Sequence, residues 1–205
     1  MKQGVKLNCL FPSRLRRFVN IQIKGLLILS LSVACVVFSN ASVANSYEEK
    51  VQKSLAAIGQ PIEAIDLASL DGQSRSFSEL QGRASVIYFF ASWCAPCYKT
   101  LRDIEQVRQQ KLDVNLVAIA LDDDKAAVSA MLKKTGFTGE TWLANDGAKP
   151  LKTRLFANAY KVLPYVIKLD SNLVLVEHSY DIKSLAQWQE VLVAGKPLSQ
   201  ATLGN

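Results

Sequence analysis

The chain has 205 residues and a formal net charge of +6, but the excess positive charge is confined to one end. Residues 1–44 contain six of the 24 basic residues and no Asp or Glu, so the rest of the chain carries 18 basic and 18 acidic side chains. A nucleic-acid-binding domain would need a basic face of its own. The balanced charge beyond residue 44 therefore argues against nucleic acid as a partner.

The order of residue types in 1–44 is that of a secretory signal peptide. A basic region is followed by an uncharged, largely apolar stretch at residues 25–38 and then by small polar residues. Ser42 and Ala44 are small residues at the two positions that a signal peptidase recognises. We therefore expect cleavage after Ala44 and a mature domain over residues 45–205.

Two other interpretations of this segment stay open. An uncleaved segment would tether the protein to the membrane, although its 14 apolar residues fall short of the roughly 20 that a membrane span needs. Leu31–Cys35 also loosely resembles a lipoprotein processing site. All three interpretations predict a periplasmic or otherwise extracytoplasmic domain, where disulfides form and persist.

The chain beyond residue 44 has the length of one domain, and its hydrophobic patterns alternate between strand and helix. The predicted elements in the first part are helix 46–58, strand 62–70, a helical turn at 78–80, strand 84–90, helix 94–110, strand 114–121 and helix 125–135. Strand 141–144, helix 150–156, a hairpin of strands 166–169 and 173–178, and helix 184–193 follow. This order predicts an α/β fold, with a central mixed sheet of four or five strands and helices on both faces.

Cys94 and Cys97 lie where the first buried strand meets its helix, and they are the only cysteines after residue 44. A structural zinc ion needs four ligands, and the chain adds only one histidine, His178, so a metal site is disfavoured. A disulfide between cysteines three apart closes a small loop and constrains the unfolded chain little. Chemical reactivity is the better explanation of the pair.

The predicted helix supplies a physical reason for that reactivity. Cys94 would lie at the helix N-terminus, where free N–H groups and the helix dipole favour a thiolate. Cys97 would lie one turn further on the same face, within reach for a disulfide. Pro96 suits the first helical turn. Trp93 would either flank the sulfur at a substrate surface or pack into the core.

The sequence FFASWCAPC after an apolar strand resembles the active site of the thioredoxin superfamily. With Leu70–Gly72 and Phe77–Gly82 before the strand, residues 59–195 are similar to extracytoplasmic thiol–disulfide reductases of the TlpA, ResA and CcmG type. The resemblance implies a thioredoxin-like fold, a catalytic and redox-active disulfide between Cys94 and Cys97, and no bound cofactor or metal. It also implies disulfide-bearing protein substrates and a membrane electron donor of the DsbD or CcdA type.

A second landmark of this family is a cis-proline just before a strand, which Pro164 matches. The resemblance implies a cis Leu163–Pro164 bond whose backbone pairs with substrate, beside Trp93. Related enzymes often have Thr where Leu163 stands. Their usual acids under the active site are replaced by Tyr88 and Thr100, so no proton acceptor for the second cysteine can be named.

The expected chemistry is thiol–disulfide exchange, in which the Cys94 thiolate attacks and Cys97 resolves the mixed disulfide. The resemblance favours a reductant. An oxidant or isomerase of the same fold, a non-enzymatic copper-delivery module and a peroxidase are the alternatives. We expect His178 to be structural or on the surface, and residues 122–124 to form a solvated loop.

Overall fold

The computed structural model describes residues 46–152 and 155–201. Residues 50–205 group as one compact unit. The expectations for residues 1–44, as signal peptide, membrane anchor or lipoprotein signal, lie outside the described residues. Among the helices that are described, none combines the length and the apolar character that crossing a bilayer requires.

A seven-stranded mixed sheet forms the centre of the fold, in the order β2-β1-β5-β4-β3-β6-β7. The strands are β1 (Leu67–Ser69), β2 (Ser74–Arg75), β3 (Ser85–Phe90), β4 (Asn115–Ala120), β5 (Thr141–Ala144), β6 (Tyr165–Leu169) and β7 (Leu175–Ser179). Strands β3, β4 and β5 are parallel, and both edges are antiparallel. The sheet thus has more strands than the four or five expected. Strand β1 lies at the end of the predicted strand 62–70, whereas β2 has only two residues and is too short to show a hydrophobic period.

The helices are α1 (46–55), α2 (Ala95–Arg108), α3 (Lys125–Thr135), α4 (Lys149–Lys152), α5 (Leu185–Leu192) and α6 (Leu198–Ala201), with 3-10 turns at Phe77–Leu80 and Leu155–Ala157. Local sequence explains the best-defined ends. The Asp124 carboxylate caps α3 by accepting from two backbone N–H groups, and Gly136 ends it in the left-handed conformation that glycine tolerates. Ser184 and Gln187 form a reciprocal capping box at the start of α5.

Two predicted helices differ from those observed. The first one stops at residue 55 rather than 58. The helix expected over 150–156 is interrupted, because α4 stops at Lys152 and Phe156 then adopts a left-handed backbone with φ of 58°. The Phe156 ring is held at this position by stacking on Phe89 of β3, with ring centroids 5.1 Å apart. Tertiary packing here overrides the local helical preference.

Strand β3 separates two apolar clusters, one on each face of the sheet. Val86, Tyr88 and Phe90 point into the cluster covered by α2, α3, α5 and α6. Ile87 and Phe89 point into the other, which Leu55 of α1 and the two 3-10 turns cover. The alternation follows from the two-residue period of a strand. Because β3 is buried on both faces, its carboxyl end is a rigid base for the residues that follow.

Candidate active site

A tight turn connects β3 to α2 and carries the first cysteine. The Cys94 N–H donates to the Ala91 carbonyl at 3.0 Å, which closes a four-residue turn. Trp93 lies near the tip of this turn and is 61% exposed. The alternative of core packing for Trp93 was therefore wrong. Cys94 is the residue that precedes the first turn of α2, so its side chain starts beside the helix N-terminus.

Cys94 and Cys97 are joined by a disulfide, with Cα atoms 5.4 Å apart. Pro96 lies in the first turn of α2. Proline lacks a backbone N–H, but at this position an N–H would have no hydrogen-bond partner within the helix. Cys94 is 5% exposed, whereas Cys97 is completely buried. Cys94 therefore keeps a small contact with solvent that Cys97 lacks. The dipole of the 14-residue helix α2 favours negative charge at this end.

Asp122 is a part of the site that sequence reasoning missed. It follows β4 and is only 9% exposed, so the expectation that residues 122–124 form a solvated loop was wrong for this residue. One carboxylate oxygen accepts from the Ser92 N–H at 2.7 Å, and the other accepts from the Ser92 hydroxyl at 2.6 Å. Asp122 thus holds the turn that carries Cys94. The run of three aspartates was the available signal, but nothing local marks its first member as buried.

Tyr88 and Thr100 occupy the two positions at which the family resemblance led us to look for an acid. Burial raises the pKa of the Tyr88 hydroxyl far above neutrality, against the smaller opposite effect of the Thr100 hydroxyl beside it. Thr100 donates instead to the Pro96 carbonyl at 3.4 Å. Tyr88 therefore stays neutral at working pH and cannot accept a proton from Cys97. Trp188 of α5 meets the Tyr88 ring edge-on at 5.8 Å and closes this side of the core.

The segment before β6 runs beside the turn. The Leu163–Pro164 peptide bond is cis, and the antiparallel pairing of Phe89 with Tyr165 directs this segment alongside residues 91–94. Buried Asn158 holds it in place. Its Oδ1 accepts from the Val162 N–H at 3.2 Å, and its Nδ2 donates to the Val162 carbonyl at 3.1 Å.

Two large apolar side chains of the segment before β6 are exposed to solvent. Tyr160 and Val162 are among the few large hydrophobic side chains that the described residues leave in solvent, and Trp93 is another. Leu163 is half-buried and packs against both apolar clusters. The register of β3 and β6 brings the loop with Tyr160 and Val162 to the same end of the sheet as Trp93.

His178 lies apart from the cysteines, on β7, within a group of aromatic rings. Its ring centroid is 5.9 Å from that of Tyr165 and 5.7 Å from that of Tyr180. Half-burial lowers the pKa of the imidazole below its ordinary value. The packing supports the expected structural role. Across residues 46–152 and 155–201, no group of three or more His, Cys, Asp or Glu side chains is placed to hold a metal ion.

Comparison with known proteins identifies a matching family model and several relatives. The Redoxin family model matches residues 57–178. The thiol–disulfide oxidoreductase ResA of Halalkalibacterium halodurans is 22% identical over 139 residues, which cover 63% of this chain and 77% of ResA. ResA of Geobacillus thermodenitrificans is 22% identical over 89 residues, which cover 42% of this chain and about half, 51%, of that relative.

Solved structures agree on the fold. A thioredoxin-family thiol:disulfide interchange protein from Chlorobium tepidum superposes with a TM-score of 0.52 and 21% identity, over 69% of this chain and 95% of that one. A thiol:disulfide interchange protein from a Bacteroides species superposes with a TM-score of 0.50 and 19% identity, over 62% and 82% of the two chains. The architecture is thus a thioredoxin-like α/β fold.

Proposed function

The chain belongs to the Redoxin family and is an oxidoreductase of the thioredoxin superfamily, and from this premise we propose that it reduces protein disulfides through Cys94 and Cys97. The observation that carries the proposal is the asymmetry of the pair. The two cysteines are bonded to each other at the start of a helix, and only Cys94 has exposed surface. Exchange in two steps needs an attacking thiol that the substrate can reach and a second thiol that resolves the mixed disulfide, and the small difference in exposure favours Cys94 for the first role.

The reaction transfers two electrons to the substrate. In the reduced protein, the Cys94 thiolate attacks one sulfur of a substrate disulfide, forms a mixed disulfide and releases the other sulfur as a thiolate. Cys97 then attacks the Cys94 sulfur, which restores the Cys94–Cys97 disulfide and releases the second substrate thiol. A partner dithiol returns the protein to its reduced form. No bound cofactor or metal takes part in these steps.

The surface around Cys94 suits an unfolded or extended polypeptide. Trp93 lies exposed at the turn, and the backbone at Leu163 and Pro164 runs alongside it. Tyr160 and Val162 extend this surface with apolar area. We propose that Trp93, Leu163 and Pro164 bind the segment that flanks the substrate disulfide, with Tyr160 and Val162 adding contact area.

The reducing direction and the compartment belong to the same proposal. Residues 1–44 would export the domain or tether it outside the cytoplasmic membrane, where a protein dithiol needs a dedicated electron supply. A membrane electron donor of the DsbD or CcdA type would supply it. The reduction potential tests the direction. A value near thioredoxin's, about −270 mV, supports the reductant, and a value near that of DsbA, about −120 mV, shows an oxidant instead.

Trapping of the mixed disulfide tests the order of attack. The Cys97→Ala variant, expressed in the native host, should accumulate proteins that are disulfide-linked to Cys94. Cys94→Ala is the matched control and should trap none, because its remaining thiol is buried. If Cys94→Ala captures the partners, the order is reversed. If Cys97→Ala captures nothing while the wild type exchanges disulfides, the proposed role of Cys94 is wrong.

A copper-delivery module is the alternative of a different class. It would use the two thiols as ligands without turnover. Stoichiometric Cu(I) retained by the reduced protein through purification, together with no exchange with disulfides, would favour that alternative over the reductase.

A further inference from the structure

The turn that presents Cys94 is held from a different strand. The polypeptide enters this turn at the end of β3, and Asp122 comes from the end of the neighbouring parallel strand β4. The Leu121 N–H donates to the Phe90 carbonyl at 2.8 Å, so the two strand ends are joined directly beside the turn. Ser92 and Asp122 are 30 residues apart in the chain, yet they share two hydrogen bonds.

The side chain of Asp122 is buried, and none of the ion pairs of the described residues includes it. Both of its oxygens accept hydrogen bonds from Ser92, which is the role of an ionised carboxylate. Every Lys or Arg ion pair of the described residues involves another acid. Since buried charges are screened weakly, a negative charge on Asp122 would act on the residues that follow Ser92 in the turn.

We propose that Asp122 is a positioning residue that holds the Ser92–Cys94 turn and whose negative charge disfavours the Cys94 thiolate, which makes the protein a stronger reductant. The inference rests on the proposed thiol–disulfide exchange and names a residue that sets its direction. Asp122 does not contact substrate and acts only through Ser92 and through its charge.

The effect on direction follows from the charges of the two redox states. Reduction converts the neutral disulfide into a pair of thiols, of which Cys94 ionises more easily because of the α2 dipole. Anything that stabilises this thiolate stabilises the reduced protein and makes it more oxidising. A nearby carboxylate does the opposite, since like charges repel. Asp122 and the helix dipole therefore act against each other at Cys94.

The substitution Asp122→Asn separates the charge from the geometry. The Asn carbonyl can accept from the Ser92 N–H, and its amide can donate to the Ser92 hydroxyl, so both hydrogen bonds can persist without the charge. Asp123→Asn is the matched control, because Asp123 is the next residue and is exposed. The same charge is removed there without touching the turn.

Equilibration with glutathione is the first measurement. We expect Asp122→Asn to shift the equilibrium at least threefold toward the reduced protein, about 14 mV at 29.6 mV per tenfold change for a two-electron couple. Alkylation of Cys94 by iodoacetamide at pH 6, followed by mass spectrometry, should also accelerate at least threefold. Asp123→Asn should match the wild type in both. Equal behaviour of the two variants would overturn the inference.

Two further measurements keep the outcome unambiguous. Asp122→Ala removes the charge and both hydrogen bonds, so it should show the same shift in equilibrium and also slower reduction of a protein disulfide than Asp122→Asn. If Asp122→Asn does not fold, the Asp122 carboxyl carbon resonance of the wild type is followed by NMR through Cys94 ionisation. A resonance that does not respond overturns the inference.

Failure of this inference can be told apart from failure of the proposed function. A wild-type protein that exchanges no disulfides would disprove the reductase. The alkylation rates at Cys94 would still decide what Asp122 does, because they need no substrate.

Discussion

Replacement of Tyr88 by Phe should stabilise the protein. The Tyr88 hydroxyl is buried beside the Thr100 hydroxyl. Because Thr100 donates to the Pro96 carbonyl, the Tyr88 hydroxyl makes no hydrogen bond of good geometry within the described residues. A buried hydroxyl without a partner costs about 1–3 kcal/mol of desolvation. The ring itself is well packed, stacked on Phe90 at 5.9 Å, and Phe preserves that contact. We therefore expect Tyr88→Phe to raise the free energy of unfolding by about 1–3 kcal/mol.

Tyr165→Phe is the matched control, because it makes the same chemical change at another buried tyrosine. The Tyr165 hydroxyl donates to the Phe156 carbonyl at 2.7 Å. Its removal leaves that carbonyl unpaired, so the free energy of unfolding should fall by about 1–3 kcal/mol. The two substitutions thus have opposite expected signs.

Urea and thermal unfolding of the oxidised proteins measure both effects. For a domain of this size, each kcal/mol corresponds to a change of about 2–4 °C in Tm. If Tyr88→Phe is destabilised like Tyr165→Phe, the Tyr88 hydroxyl is bonded and the reasoning is refuted. The reduction potential should be the same in Tyr88→Phe and the wild type, since a neutral hydroxyl cannot serve as the proton acceptor of Cys97. A changed potential would contradict that conclusion.

Three other outcomes can be measured. Asn158→Ala removes three hydrogen bonds, to both backbone groups of Val162 and from the Tyr180 hydroxyl. It should cost about 2–4 kcal/mol in urea unfolding and raise KM for protein disulfides. An unchanged KM would show that the loop with Val162 does not contribute to substrate binding. His178, the only histidine, should titrate below 6.5 by NMR, and stability should fall as pH drops below about 6.5 because only the unfolded state then binds the proton. In His178→Phe this part of the pH dependence should vanish, and its persistence would assign it to another group. Trp93→Ala should leave stability within about 0.5 kcal/mol but lower kcat/KM for protein disulfides, and not for oxidised glutathione. An equal loss for both would contradict the docking role.

The elements that sequence patterns predicted well are those whose stability is decided locally. The apolar runs at 84–90 and 114–121 correspond to β3 and β4, because a strand buried on both faces leaves no polar residue in its interior. Helix α3 starts at the capping Asp124 and ends at Gly136, both of which act through their own backbone neighbours. Only the end of the predicted strand 62–70 corresponds to β1, and β2 was not predicted, because these short strands exist through pairing with β5 and with each other.

Part of the candidate site could likewise be predicted from local sequence, and part of it could not. Cys94, Pro96 and Cys97 could be recognised because their chemistry depends on a spacing of three residues and on the start of one helix. The exposure of Trp93 could not be predicted, since a tryptophan suits both a core and a surface, and only the tight turn decides between them. The left-handed Phe156 had no local signal either, because its stacking partner lies 67 residues earlier in the chain.

Local sequence patterns were enough to single out the Cys94–Cys97 pair, most of the strands and helices around it, and the concentration of excess positive charge in residues 1–44. The surroundings of the sulfur atoms, in contrast, depend on tertiary packing. The parallel pairing of β3 with β4 brings Asp122 to Ser92 and so places a buried carboxyl group behind the turn of Cys94. The same packing leaves a neutral Tyr88 beneath the helix. Spacing along the chain shows which side chains belong to one local motif, whereas the groups packed around that motif come from residues that meet only when the sheet forms.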